Sequence, residues 1–154
     1  MLELIVFCGL PGTGKTHQAL ILERKTGAVR LSRDEIRAGL FSVPTYDSEE
    51  KAVCFGIMLE LAEYHLRRGQ NVILDGMPFS KRIERDAARR IADSLGAKFR
   101  LYQCVCAEHI ALARIASQPD HLAKDRGETL YRRVKARFDP ILPEEKAENI
   151  DTGV

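Results

Sequence analysis

No stretch of this chain approaches the roughly 18 consecutive apolar residues that a membrane-spanning helix requires. The first apolar run stops at Cys8, and no basic leader precedes it. A secretory signal is therefore not expected, and the cytoplasm is the expected compartment. Charge of one sign is also missing. The formal net charge is +2, which neither demands nor excludes a polyanionic partner. The four cysteines, Cys8, Cys54, Cys104 and Cys106, have no C-x-x-C spacing. That argues against a zinc site and for reduced, buried thiols. Cys104 and Cys106, two apart in an apolar run, are expected on the same side of a strand. His17, His65, His109 and His121 are scattered along the chain and suggest no metal cluster. Aromatic residues seldom interleave with the basic ones, so no stacking platform for single strands is evident. Repeats, low-complexity segments and a second-domain linker are absent.

What remains is 154 residues, 45% hydrophobic and 30% charged, enough to bury a core without disulfides. Short apolar runs alternate with segments of helical spacing. Leu2 to Cys8, Ala28 to Ser32, Asn71 to Asp75 and Lys98 to Val105 read as strands, with a short final one at Glu148 to Asp151. Helices are predicted over Lys15–Lys25, Arg33–Leu40, Glu49–Arg68, Ser80–Leu95 and Glu108–Ala116. The third of these should start on a Ser48 hydroxyl cap and present Val53, Ile57 and Leu61 on one face. A last helix should bury Leu130, Val134 and Phe138, with Arg132, Arg133, Lys135 and Arg137 on its solvated face. Strands alternating with helices imply a parallel sheet covered on both sides: one three-layer α/β/α domain over residues 1–154.

The most informative segment is Gly9-Leu10-Pro11-Gly12-Thr13-Gly14-Lys15-Thr16. It matches G-x-x-x-x-G-K-[ST], with an apolar strand before it and an amphipathic helix after it. Gly9, Pro11, Gly12, Thr13 and Gly14 would form a loop whose N–H groups surround phosphates. The helix start adds free N–H groups and a favourable dipole. Lys15 would place a charge at the β- and γ-phosphates, and the Thr16 hydroxyl would ligate Mg²⁺. A nucleoside triphosphate site follows from motif and context together.

Asp34 lies just after the second strand, on the side of a parallel sheet where ligands bind. It could accept the proton of an attacking hydroxyl, and Arg37, one helical turn on, could clamp an anionic part of the acceptor. The same residues could merely cap a helix, with Ser32 or Asp34 as the cap. Asp75 ends an apolar strand as a Walker B acid does and could serve the metal or the substrate, or simply cap a turn.

The loop and the segment Arg33-Asp34-Glu35-Ile36-Arg37 together resemble the polynucleotide 5′-kinase family and the related small P-loop and zeta-toxin-like kinases. The resemblance implies an adenylate-kinase-like P-loop fold using ATP and Mg²⁺. It implies Asp34 as catalytic base and Arg37 as an acceptor contact. That family usually carries a Thr-Asn pair where this chain has Gly76 and Met77. Arg82 resembles its next basic residue, a substrate contact. Arg114 and Arg126 match its lid arginines, which places a helical lid at about residues 114–130; as helix-end charges they would sit on a solvated surface. A nucleic-acid 5′-hydroxyl is the acceptor the resemblance implies. A small molecule, such as a sugar, sugar nucleotide or antibiotic hydroxyl, is the alternative, and an ATP-binding module without an acceptor is the third.

Overall fold

The computed structural model describes residues 1–118 and 127–153. Five strands form one sheet: β1 (Glu3–Cys8), β2 (Val29–Ser32), β3 (Val72–Asp75), β4 (Lys98–Val105) and β5 (Glu148–Asp151). The helices are α1 (Lys15–Thr26), α2 (Arg33–Leu40), α3 (Ser48–Arg67), α4 (Arg82–Ser94), α5 (Glu108–Ala116) and α6 (Glu128–Arg137), followed by a 3₁₀ turn at Pro143–Glu145. The strand order is β2-β3-β1-β4-β5, and every pairing is parallel. All carboxyl ends therefore reach the same edge. The sheet order turns around β1, which places a crevice at the end of that strand.

Alternation along β1 explains the layers. Leu4, Val6 and Cys8 point to one face and pack with Met58, Ala62 and Leu66 of α3 and Ala88 and Ala92 of α4. Ile5 and Phe7 point to the other and meet Ala19 of α1 with Ile73 and Cys104. Burial on both faces is why β1 and β3 read as unbroken apolar runs. Each fully buried Leu or Val here stabilises by about 1.5–3 kcal/mol.

Four local expectations are corrected. Asp47, not Ser48, caps α3: its carboxylate accepts the Glu50 N–H at 2.8 Å. The buried stripe of α3 is Cys54, Met58, Ala62 and Leu66, one residue round from Val53, which is exposed. Hydrophobicity alone could not separate these faces, because Val53, Ile57 and Leu61 repeat with the same four-residue step. On α6, Tyr131 is the buried residue. Leu130 and Val134 instead line a cavity. Cys104 is buried in β4, whereas Cys106 lies one residue beyond the strand and is half-buried.

Candidate active site

The loop from Gly9 to Gly14 leaves β1 and feeds α1 directly. Gly12 sits at φ +79°, and a Cβ there would lie 2.5 Å from the Ala111 carbonyl of α5. Glycine thus lets the loop lean on α5 as well as turn. Thr13 Oγ1 donates to Leu10 O at 2.7 Å and stiffens the curve. Lys15 Nζ donates to the Gly9 and Leu10 carbonyls at 3.1 and 2.8 Å, which holds its charge over the loop.

Asp75, at the end of β3, is wholly buried. One oxygen accepts from Thr16 Oγ1 at 3.4 Å, and the other faces Arg30 Nη1 at 3.3 Å. Two oxygen donors of different chains of sequence thus meet beside the loop, a donor set that fits a hard cation such as Mg²⁺. Arg30, on β2, balances the buried carboxylate and also pairs with Glu35 at 2.7 Å. Nothing in the sequence marked Arg30, because it reads as one polar residue inside an edge strand.

Ser32 ends β2 and caps α2, its hydroxyl accepting from Glu35 N at 3.4 Å. Asp34 is in the first turn, and its carboxylate accepts from Arg37 Nη1 at 3.2 Å. Arg37 is only 2% exposed. Its Nε stands 2.9 Å from Glu50 Oε1, and its guanidinium lies 4.6 Å from the centre of the Tyr46 ring. Burial alone would raise the Glu50 carboxyl, but the Thr45 and Tyr46 N–H groups, the Thr45 hydroxyl and Arg37 hold it below its ordinary value. Asp34 and Arg37 are thus fixed from below by α3.

Gly76 follows Asp75 at φ +80°. A Cβ there would lie 2.3 Å from Ser32 Oγ, 2.8 Å from Arg33 N and 3.0 Å from Asp34 N. This position must be bare so that α2 can dock against the end of β3. Met77 beside it is buried and faces the cavity.

Arg114, near the end of α5, reaches back to the loop. Its Nη1 donates to Thr152 Oγ1 at 3.0 Å and approaches Gly12 O at 3.4 Å. The Thr152 hydroxyl in turn donates to Thr13 O at 2.7 Å. Thr152, just past β5, gave no signal in the sequence. Arg126 lies outside the described residues, as does most of the loop between α5 and α6. Arg82 is not among the cavity-lining residues. It pairs with Asp86 and Glu144 at 3.0 and 3.2 Å and ties α4 to the C-terminal segment.

Phosphate loop, Asp34, Arg37, Met77 and Arg114 border one cavity of about 650 Å³, with Leu130 and Val134 on the α6 side. Arg33, Lys51 and Pro78 also stand on its wall, though no motif marks them as site residues. Among the described residues, Asp34 alone supplies a carboxylate to the lining, against five cations: Lys15, Arg33, Arg37, Lys51 and Arg114.

A family match runs over residues 4–141. The chain belongs to the AAA domain family. No curated protein matches this AAA domain chain in sequence. Among solved structures it is similar to a candidate kinase of Chloroflexus aurantiacus, with a TM-score of 0.79 and 20% identity over 99% of this chain and 89% of that one. It is similar to the APS kinase CysC of Mycobacterium tuberculosis, with a TM-score of 0.72 and 21% identity over 98% and 88% of the two chains. A chain of the Pnkp1/Rnl/Hen1 RNA repair complex gives 0.63 and 18% identity, covering 90% of this chain but 46% of that one. At these identities the likeness establishes the three-layer P-loop fold of this AAA domain chain.

Proposed function

We propose that this chain is an ATP- and Mg²⁺-dependent kinase that moves the γ-phosphoryl group to a hydroxyl of a small molecule. The observation that carries the reading is that the phosphate loop and the Asp34 carboxylate border one cavity. A donor site alone would need no acid facing it. Loop N–H groups and Lys15 hold the triphosphate, and Thr16 with Asp75 serves the metal. Bound Mg²⁺ would neutralise charge on the β- and γ-phosphates. Asp34 takes the proton of the attacking hydroxyl, with Arg37 fixing its orientation. Arg114, held to the loop, stabilises charge on the transferring group. Arg126 is proposed to assist from a lid at about residues 114–130. Arg82 is proposed to act on the acceptor only through the segment it braces.

A small acceptor is favoured over a nucleic-acid 5′-hydroxyl by three features. The cavity volume is within the usual range of about 300–1,000 Å³ for small-ligand sites. The wall after β3 is Gly76-Met77-Pro78, which offers no polar side chain to a base or ribose. The APS kinase is matched over most of its length, whereas the RNA repair chain is matched over less than half.

Radiolabelled ATP tested against a metabolite panel and a 5′-hydroxyl oligonucleotide decides the question. Label on a metabolite, lost in Asp34→Asn with ATP binding retained, is the expected result. Label on the oligonucleotide alone would overturn the small-molecule reading. ATP binding with no labelled acceptor would leave a nucleotide-binding module.

A further inference from the structure

Asp75 is wholly buried, and the two oxygens of its carboxylate have different neighbours. Oδ1 accepts from Thr16 Oγ1 at 3.4 Å, and Oδ2 accepts from Arg30 Nη1 at 3.3 Å. An ionised carboxylate is only an acceptor, so the Thr16 hydroxyl gives its single proton to Asp75 and keeps its lone pairs for a cation. Arg30 is itself fixed. Its Nη2 stands 2.7 Å from Glu35 Oε2 in the first turn of α2, and its Nε 3.7 Å from Glu23 Oε1 on α1. Its side chain is 12% exposed, against 37% for Glu23 and 53% for Glu35. The guanidinium is thus held from two helices against one side of the Asp75 carboxylate.

Mg²⁺ and Ca²⁺ differ in what they require of such a group. Mg²⁺ demands a near-ideal octahedron at about 2.0–2.1 Å, keeps several waters and uses one or two carboxylates. Ca²⁺ takes about six to eight oxygens and readily uses both oxygens of one carboxylate. With Oδ2 engaged by a guanidinium, Asp75 presents Oδ1 alone to Thr16. We propose that Arg30 sets the metal preference of the site: by occupying Oδ2 it denies a cation the second oxygen of Asp75, which disfavours Ca²⁺ more than Mg²⁺. Arg30 acts through Asp75 and is therefore a positioning residue. This rests on the reading of Thr16 and Asp75 as the metal-bearing pair, but not on any acceptor or on phosphoryl transfer.

The test is the affinity of a fluorescent, non-hydrolysable ATP analogue, measured with excess Mg²⁺, with excess Ca²⁺ and with EDTA. The wild type should bind the analogue more tightly with Mg²⁺ than with Ca²⁺. Arg30→Met should raise the Ca²⁺ affinity relative to the Mg²⁺ affinity by about tenfold or more, the scale on which groups behind a metal ligand act. Its affinity in EDTA should stay that of the wild type. Arg30→Lys keeps a cation at Oδ2 and should hold the wild-type ratio. Combined with Asp75→Asn, the Arg30→Met shift should vanish, since an amide offers only one oxygen. The proposal is overturned by equal wild-type affinities with the two ions, or by an unchanged ratio in Arg30→Met. A shift in Arg30→Lys as large as in Arg30→Met, or one that survives Asp75→Asn, would overturn it too. An equal loss of affinity in all three buffers would make Arg30 a structural counter-ion and nothing more. Should Arg30→Met not fold, the wild type and Arg30→Lys still decide, since both must prefer Mg²⁺. Absence of binding in every buffer would instead overturn the nucleotide reading itself.

Discussion

Arg114 on α5 donates to the hydroxyl of Thr152, beyond β5, at 3.0 Å. The same hydroxyl donates to Thr13 O in the phosphate loop at 2.7 Å. Thr152 O also accepts from Arg114 Nη2 at 2.5 Å, so this residue sets where the Arg114 charge stands, and its hydroxyl ties that charge to the loop. Position matters more than presence for a cation that must meet developing charge. Thr152→Val keeps the shape and removes both hydroxyl bonds. Nucleotide affinity should change little, while phosphoryl transfer should fall by about ten- to a hundredfold. Thr152→Ser should restore most of it. Loss of ATP affinity equal to the loss of turnover would show that Thr152 serves the loop and not Arg114.

Gly76 controls how closely α2 approaches β3. Gly76→Ala would force a Cβ to within 2.3 Å of Ser32 Oγ at a left-handed φ of +80°. Gly27 has a similar φ of +73° but open space around it. Gly27→Ala therefore reports backbone strain alone, about 1 kcal/mol. Gly76→Ala should cost about 1–3 kcal/mol more in urea unfolding, because packed atoms must also shift. It should also lower transfer, since Asp34 moves with α2. Equal destabilisation by the two variants would show that the contact with Ser32 gives way without consequence.

Much of this site was legible in the sequence because its chemistry is local. Eight consecutive residues build the phosphate loop, and the apolar runs of β1 and β3 announce buried parallel strands. Asp34 and Arg37 were readable as one helical turn. What was not legible depends on partners distant in the chain. Arg30 balances Asp75 across 45 positions, and Thr152 meets Thr13 across 139. Neither residue type is unusual where it stands. The α3 stripe was placed one residue off because Cys54 and Ala62 are small, while the exposed Val53 is strongly apolar. On α6, Leu130 and Val134 read as core but line the cavity. An apolar stripe looks the same whether protein or ligand covers it.

The Arg85–Glu145 pair joins α4 to the turn before β5, with Arg85 Nε 2.7 Å from Glu145 Oε1 and both side chains 1% exposed. Burial alone would raise the Glu145 carboxyl. The Arg85 hydrogen bond, the Leu142 N–H and the charges of Arg85 and Arg82 hold it below its ordinary value. A carboxyl lowered in the fold contributes stability above its unfolded value of 4.5, and that contribution is lost as pH falls through the folded value. Glu145→Ala would strand the buried guanidinium and should cost about 3 kcal/mol near neutral pH. Below about pH 4 the difference between variant and wild type should shrink. A pH-independent difference would show that packing, not charge, carries the effect.

Burial pushes the Cys8 thiol up to about 12 and the Cys104 thiol up to about 11. Both thiols are therefore neutral in the fold at neutral pH. An unfolded chain releases these protons near pH 9, so above that pH the native state binds more protons than the unfolded one. The stabilisation is complete below about pH 9 and is lost progressively as pH rises toward the folded values. Urea midpoints should fall steeply between about pH 9 and 11, and Cys8→Ala or Cys104→Ala should flatten that slope whatever it does to stability at pH 7. Under native conditions at pH 8, a thiol reagent should modify half-buried Cys106 first, with Cys8, Cys54 and Cys104 reacting only on unfolding. Rapid native-state modification of Cys8 or Cys104 would mean that the strand ends beside the phosphate loop open far more readily than their packing allows.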